Sequence, residues 1–248
     1  FSGAEMDGQF SYDKAHVCEL KCKPDEEQLA FAMYANSPQR LFFCPANQIG
    51  IAETMANQVE NYAKIDETMT GYGPRIGKLC LAKSNDDGSW YRGACLGNPD
   101  AETFTIFFVD YGFIEHLPRS NLKIMDPTML ETPFLANHCI LEGFEDNSKE
   151  PEYTEDFGKI VEERMEFFSE HKITVVKKVG DYFVVRVPAL KDLQPKPSKP
   201  AEEAKQSQPT VEDKPKPTEK PKPTTVIDKE KEEQIRKLRE ELAKLGAA

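Results

Sequence analysis

The sequence has few of the residues that metal and redox sites use. It contains four histidines, each isolated in the chain, and its six cysteines include no C-x-x-C pair. The two closest cysteines, Cys18 and Cys22, fall in a strand-like stretch, where free buried thiols are the usual arrangement. We therefore expect no metal site and no cofactor, and reduced thiols are typical of the cytosol or nucleus.

The sequence also lacks a long apolar run and an excess of basic charge. No stretch approaches the roughly 20 apolar residues that span a bilayer, so we expect no membrane partner. Residues 191–248 hold 14 Lys/Arg and 12 Asp/Glu, so the 18 basic and 31 acidic residues before them give that part a net charge of −13. Nucleic-acid binders usually carry the opposite sign, so a basic peptide is the expected partner rather than DNA. Because the chain begins with Phe1, we also expect it to be part of a longer protein.

The composition changes near the C-terminus. Residues 191–225 are rich in Pro, Lys and Glu and have no apolar period, which predicts a disordered linker of polyproline character. Residues 226–246 predict a short amphipathic helix, whose apolar stripe has coiled-coil spacing over barely two heptads. This helix is expected either to self-associate or dock, or to stand alone in solvent.

The preceding residues predict three sections. "AHVCELKC" and "RLFFCPA" within residues 15–45 indicate two strands, and residues 47–68 an amphipathic helix capped by Asn47. Short strands with polar turns over residues 76–125 are typical of a small antiparallel barrel. A helix over residues 154–170 and a closing hairpin follow. This hairpin needs strand partners, and we expect residues 15–45 to provide them, with the barrel inserted between.

One strand end is unusually aromatic. "IFFVDYGF" places four rings among eight residues and breaks after Tyr111 at Gly112, where the chain must turn. Alternation along a strand predicts Phe104 and Ile106 in the core, together with Trp90. For Phe108 the residues alone leave core and ligand contact equally open.

The paired motifs identify a family. "GKLCLAKSNDDGSWYRGACL" followed by "FTIFFVDYGFIEHLPRSNLKIM" resembles a Tudor barrel, and the flanking elements resemble the staphylococcal-nuclease-like half of an extended Tudor domain, over roughly residues 15–190. The resemblance implies a mainly β fold with helices, of the α+β class. A Tudor barrel (69–125) would be inserted in an OB-like, nuclease-like half with its linker helix (15–68 and 126–190).

The resemblance also implies a function. Extended Tudor domains bind Arg-Gly or Arg-Ala tails of PIWI-type Argonaute proteins, often with symmetric dimethylarginine. An aromatic cage attracts that cation with about 0.5–2 kcal/mol for each cation–π contact. By resemblance, the cage walls here are Tyr91, Phe108 and Tyr111.

Two positions depart from the family's pattern. Asn85 stands nearest the place of a further cage aromatic, and Phe113 replaces the Asn that hydrogen-bonds the guanidinium. We therefore expect a degenerate cage that reads arginine with little dependence on methylation. Unmethylated arginine keeps all five donors, and Asp86, Asp87 and Glu115 in or near the barrel loops are candidates to pair with it.

Two further residues have an expected structural role. Arg92 and Asp110 fall on strands that would be neighbours, so we expect them to form an ion pair.

Three other functions compete with peptide binding. Nuclease activity requires clustered carboxylates on a metal, and the sequence shows no such local cluster, so we expect no enzyme. An RNA-binding barrel would use its rings for stacking, but its acidic charge opposes this. An assembly scaffold would rely on self-association through residues 226–246, or on contacts with other Tudor proteins. By resemblance, the host would act in piRNA-guided transposon silencing, in perinuclear cytoplasmic germ granules (nuage).

Overall fold

The computed structural model describes residues 17–65 and 71–195. The described chain is mostly strand, with two α-helices and several short 3₁₀ turns. In chain order the elements are β1 (Glu27–Ser37), β2 (Arg40–Pro45), α1 (Ile49–Ile65), β3 (Leu79–Lys83), β4 (Trp90–Gly97), β5 (Thr103–Phe108), β6 (Ile114–Pro118), β7 (Leu122–Lys123), β8 (Asn137–Leu141), α2 (Glu150–Arg164), β9 (Glu170–Val179) and β10 (Tyr182–Arg186). This mainly β arrangement confirms the expected fold class.

Five strands close into a barrel that is discontinuous in the sequence. The order is β1-β2-β8-β10-β9, with β1 returning to β9, and only β8 and β10 pair in parallel. Helix α2 packs on β1, where Gly158 lies so close to the Asn36 carbonyl that an added Cβ would be 2.8 Å from the oxygen. The strands before and after the central part of the chain therefore form one unit, as the closing hairpin predicted.

The remaining strands form an antiparallel sheet in the order β6-β5-β4-β3-β7. Alternate residues divide between its two faces. One face, here called the inner face, carries Tyr91, Phe104, Ile106 and Phe108 in a core of its own. The other face packs against α1 and the closed barrel in a second core, whose members include Met33, Phe42, Met55, Leu81, Ala94, Phe107 and Val109. This second contact region is called the seam.

The first predicted strand is wrong. Residues 17–22 form no strand and make one isolated bridge, between Val17 and Phe134. The polar-looking stretch that follows becomes the long strand β1, because β2 and β9 pair with it on both sides. Outside the predicted strand environment, Cys22 is exposed and Cys18 is half-buried, whereas the other four thiols are buried and free.

The helix boundaries also differ from the prediction. Asn47 does not cap α1, since it lies inside a 3₁₀ turn that follows Pro45 and makes no side-chain cap bond. Helix α2 begins four residues early, at Glu150, with Pro151 in its first turn, where a missing N–H costs nothing. It ends at Arg164, so Phe168 lies in the following turn rather than in the helix.

The closed barrel continues past its expected end at residue 190. Leu193 is buried in the barrel core, and Asp192 pairs with Arg164. The predicted linker therefore loses its first residues to the fold. The rest of that linker and the predicted helix at 226–246 lie outside the described residues.

Candidate functional site

Four aromatic rings meet where β4, β5 and the turn after β5 come together. The Tyr91 ring centroid lies 5.4 Å from that of Phe108, 5.1 Å from that of Tyr111 and 6.2 Å from that of Phe113. Phe113 lies 4.4 Å from Phe108 and 6.1 Å from Tyr111. These four side chains, called the ring cluster, bring together all the aromatic residues that the sequence proposed for the site.

A tight turn places two of these rings beside the end of the strand. The backbone N–H groups of Tyr111 and Gly112 both donate to the Phe108 carbonyl, at 3.1 and 2.8 Å, and the Phe108 N–H donates to the Phe113 carbonyl at 2.9 Å. Gly112 has φ +103°, and a Cβ there would overlap the Phe42 ring of the closed barrel. Only glycine fits both this backbone conformation and this close approach. The turn thereby brings Tyr111 and Phe113 back against Phe108.

The rings of the cluster are packed against one another. Phe108 is fully buried and Tyr91 is only 6% exposed, whereas Tyr111 and Phe113 are partly exposed. A planar cation held between two rings needs centroids about 7–8 Å apart, twice the contact distance of about 3.5–4.0 Å. The 4.4 Å between Phe108 and Phe113 is too short for this. In this arrangement Phe108 is a core residue, and Phe113 covers its face.

Two of the three acidic candidates shape the loop between β3 and β4. Glu115 is 8% exposed, accepts hydrogen bonds from the Ser84 hydroxyl at 2.6 Å and from the Asn85 N–H at 2.9 Å, and has a pKa raised by burial. Asp87 accepts from the Tyr91 hydroxyl at 2.5 Å and from the Ser89 N–H at 2.9 Å. This geometry does not support Glu115 as an open carboxylate for a ligand.

The other two loop candidates lie further out. Asn85 is exposed, and its amide bonds to the His116 carbonyl and to the side chain of Asn121. Asp86 is half-buried, and its N–H donates to the Ser84 hydroxyl at 3.1 Å. Asn85 therefore adds no ring to the cluster, as the sequence indicated.

Arg92 and Asp110 form the expected ion pair, on the seam side of the sheet. Nε donates to Asp110 at 2.8 Å and Nη2 at 2.5 Å. The remaining Arg92 donors reach the carbonyls of Met129, Thr132 and Pro133, at 2.6 to 3.0 Å. All five guanidinium donors are thereby satisfied in a side chain that is fully buried. The pair fastens the connection between β7 and β8 to the sheet.

Trp90 does not lie in the inner core as predicted. Its ring is half-buried at the seam, with the Lys123 ammonium 4.9 Å from the ring centroid. Lys123 also donates to the Ala63 carbonyl at the end of α1, at 2.7 Å. The prediction fails because Trp90 alternates with Tyr91 and so faces the opposite side of the sheet.

Sequence reasoning missed the aromatic residues that the closed barrel adds to this region. Tyr34 lies 6.4 Å from Phe113, and Phe167 lies 6.2 Å from Tyr111. Phe168, next in the chain, has φ +63°, the one positive φ outside glycine among the described residues. No local motif marks these positions, because they reach the site only through the packing of the two sheets.

Two chemical features are absent from the described residues. Within 17–65 and 71–195, no group of three His, Cys, Asp or Glu side chains could hold a metal ion. In the same ranges, no helix is both long and apolar enough to cross a bilayer. What the arrangement offers is a surface of rings and carboxylates suited to binding.

Comparisons with known proteins agree with the arrangement of strands. The Tudor domain family model matches residues 22–143. Human Tudor domain-containing protein 1 is 35% identical over 99 residues, which are 40% of this chain and 8% of that protein. Protein tudor of Drosophila melanogaster is 28% identical over 104 residues, or 41% of this chain and 4% of that protein. The chain thus corresponds to less than a tenth of the length of these relatives.

Solved structures resemble the whole two-sheet arrangement. The human TDRD1 extended Tudor domain, in complex with a symmetrically dimethylated peptide, aligns with a TM-score of 0.59 and 23% identity over 70% of this chain and 83% of its own. The mouse TDRD1 extended Tudor domain TD3, in complex with a MILI peptide containing dimethylarginine, aligns with a TM-score of 0.58 and 20% identity over 70% and 87%. The matched sequence and the shared fold together show that this chain belongs to the Tudor domain family and has the fold of an extended Tudor domain.

Proposed function

We propose that this chain is a non-catalytic module that binds an arginine-containing tail, with Arg-Gly or Arg-Ala repeats, of a PIWI-type Argonaute protein. Methylation of the arginine contributes little to this binding. The host protein acts as a scaffold in piRNA-guided silencing, in the cytoplasm. Structural neighbours support the peptide: the TDRD1 domains are complexed with dimethylated peptides, and a Tudor structure was solved with Aubergine carrying a symmetrically dimethylated arginine.

The observation that carries the reduced role of methylation is the 4.4 Å contact between Phe108 and Phe113. The extended Tudor family usually has Asn where Phe113 stands. A ring at this position provides no hydrogen-bonding group for the guanidinium, and it lies over the face of Phe108, which would otherwise attract methyl groups. The charge of the protein favours arginine in any form, since the residues before 191 carry a net charge of −13.

A calorimetric titration tests both parts of the proposal. One arginine-rich tail peptide is prepared unmethylated and with symmetric dimethylarginine, and each form is titrated into the full chain. We expect both forms to bind with dissociation constants within about threefold of each other, less than about 1 kcal/mol. Absence of binding by both peptides would overturn the proposal and favour an assembly role.

A symmetric dimethylarginine reader is the second candidate. The dimethylated peptides in the neighbouring structures favour it. It requires the partly exposed Phe113 side chain to rotate away from Phe108 when the ligand arrives. At least tenfold tighter binding of the dimethylated form, about 1.4 kcal/mol, would establish this candidate in place of the first.

A further inference from the structure

Beside the ring cluster, a row of partly exposed rings crosses the seam. Tyr34 lies 6.4 Å from Phe113, Phe113 lies 6.1 Å from Tyr111, and Tyr111 lies 6.2 Å from Phe167. These four side chains, called the seam strip, come from β1, from the turn after β5 and from the segment after α2. All four are partly exposed, in contrast to the buried Phe108 and Tyr91. Aromatic surface therefore leads outward from the ring cluster onto the closed barrel.

The backbone holds Phe167 in this row at a conformational cost. Phe168 adopts φ +63°, a conformation that costs a non-glycine residue about 1–3 kcal/mol. Its N–H donates to the Ala32 carbonyl at 2.7 Å, and the Ala32 N–H donates to the Ser169 carbonyl at 2.9 Å. Phe168 itself packs 6.2 Å from Phe31, so the turn directs the two neighbouring rings to different surroundings. Strain that the surrounding structure enforces is found most often at functional sites.

The same surface carries unpaired negative charge. Glu162, in the last turn of α2, and Glu166, just beyond it, are both exposed. Neither carboxylate has an ion-pair partner in the part of the chain that the structure describes. Burial raises the pKa of the Tyr34 hydroxyl, nearby Arg40 lowers it, and Glu162 raises it, so Glu162 lies at the Tyr34 end of the strip. Arg40 is the neighbouring cation that a ligand would meet there.

We infer that the seam strip and Glu162 form the seat of the ligand's arginine, in place of the closed ring cluster. This inference rests on the proposed function and names the residues that carry it. An unmodified guanidinium stacks on exposed rings and keeps all five donors for a carboxylate. Lysine offers a point charge without a planar face, so it fits this seat less well.

Matched variants test the seat in fluorescence anisotropy with a labelled, unmethylated Arg-Gly peptide. We expect Phe167→Ala and Phe167→Leu to weaken binding about tenfold, since both remove the aromatic face and the second keeps apolar volume. Glu162→Gln is expected to weaken binding about fivefold through loss of a charge-assisted bond. Glu163→Gln is the matched control: it removes the same charge from the same helix, where Glu163 pairs with Lys159, and should change binding less than about twofold.

Three outcomes decide the inference. A protein that binds the arginine peptide equally well after Phe167→Ala and Glu162→Gln contradicts the seat, while the proposed function stands. Equal weakening by Glu162→Gln and Glu163→Gln also contradicts it, because general charge would then account for the effect. If the wild-type protein binds no arginine peptide, the seat and the proposed function fail together. A peptide with every Arg replaced by Lys should bind about tenfold more weakly, and circular dichroism confirms that each variant is folded.

Discussion

The two faces of the pair formed by β4 and β5 are built on opposite principles. Tyr91 and Arg92 are adjacent in the chain and point to opposite sides of the sheet. On the seam side, Arg92 has every donor directed at a specific acceptor, so neither it nor Asp110 can be replaced without leaving a buried polar group unpaired. On the inner side, rings contact rings through non-directional forces, which allow a Phe where the family usually has Asn. The face that fixes the fold is therefore rigid in composition, and the face next to the ligand surface can vary.

Removing Arg92 should break this comparison most strongly. Arg92→Met leaves Asp110 buried without its partner, and we expect a loss of about 3–5 kcal/mol in the free energy of unfolding. Urea denaturation followed by the fluorescence of Trp90, the single tryptophan, measures this. The double variant Arg92→Met/Asp110→Leu removes both charges and should recover part of the loss. A double variant no more stable than Arg92→Met would show that the backbone carbonyl bonds, rather than the ion pair, hold the seam.

Gly112 joins the two faces, and its replacement should be the next largest change. Gly112→Ala adds a Cβ at φ +103° that overlaps the Phe42 ring. We expect a loss of about 2–4 kcal/mol, from left-handed strain of about 1–2 kcal/mol and overpacking of about 1–3 kcal/mol. Gly180→Ala is the matched control, since Gly180 also has positive φ (+55°) but open space around its Cβ. Equal losses in thermal or urea unfolding would mean that the contact with Phe42 contributes nothing.

Changing Phe113 should alter binding far more than stability and so sharpens the contrast. Phe113→Asn uncovers Phe108 and provides the amide that the family usually has. We expect the ratio of affinities for dimethylated over unmethylated peptide to rise about tenfold, or about 1.4 kcal/mol. Calorimetry with both peptides measures the ratio, and Ile114→Asn at the next residue, on an exposed strand position, is the control. An unchanged ratio would show that Phe113 does not control methylation dependence.

Acid should weaken the seam slightly. Burial lowers the pKa of His138, which is stacked 5.1 Å from Phe42 and bonds through Nε2 to the Gln39 carbonyl at 2.8 Å. The native state then binds fewer protons than the unfolded state, so stability is full above the unfolded pKa of about 6.5 and is lost as the pH falls below it. Unfolding of the wild type and of His138→Gln at pH 7 and pH 5.5 measures this. The variant should lose less stability over that interval, and an equal loss would assign the effect to other groups.

The sequence predicted the elements that have strong local signals. The "WYR" and "VDYG" motifs gave the ring cluster and the Arg92–Asp110 pair, because strand alternation and neighbouring strands set both. The prediction for β1 failed because its first residues are polar and its apolar residues are small, and its strand character comes from pairing on both edges. Glu115 was predicted as a ligand contact because a loop carboxylate gives no sign that its two oxygens are already bonded.

By itself, the sequence determined the family, the composition of both sheet faces and the departure from the family's pattern at Phe113. These follow from residue types at short spacings, which physical rules for strands and turns make readable. The tertiary structure alone decided that Phe113 lies over Phe108 and that Tyr34 and Phe167 extend the aromatic surface across the seam. Those contacts join residues far apart in the chain, and their geometry depends on how two sheets pack, which no local pattern encodes.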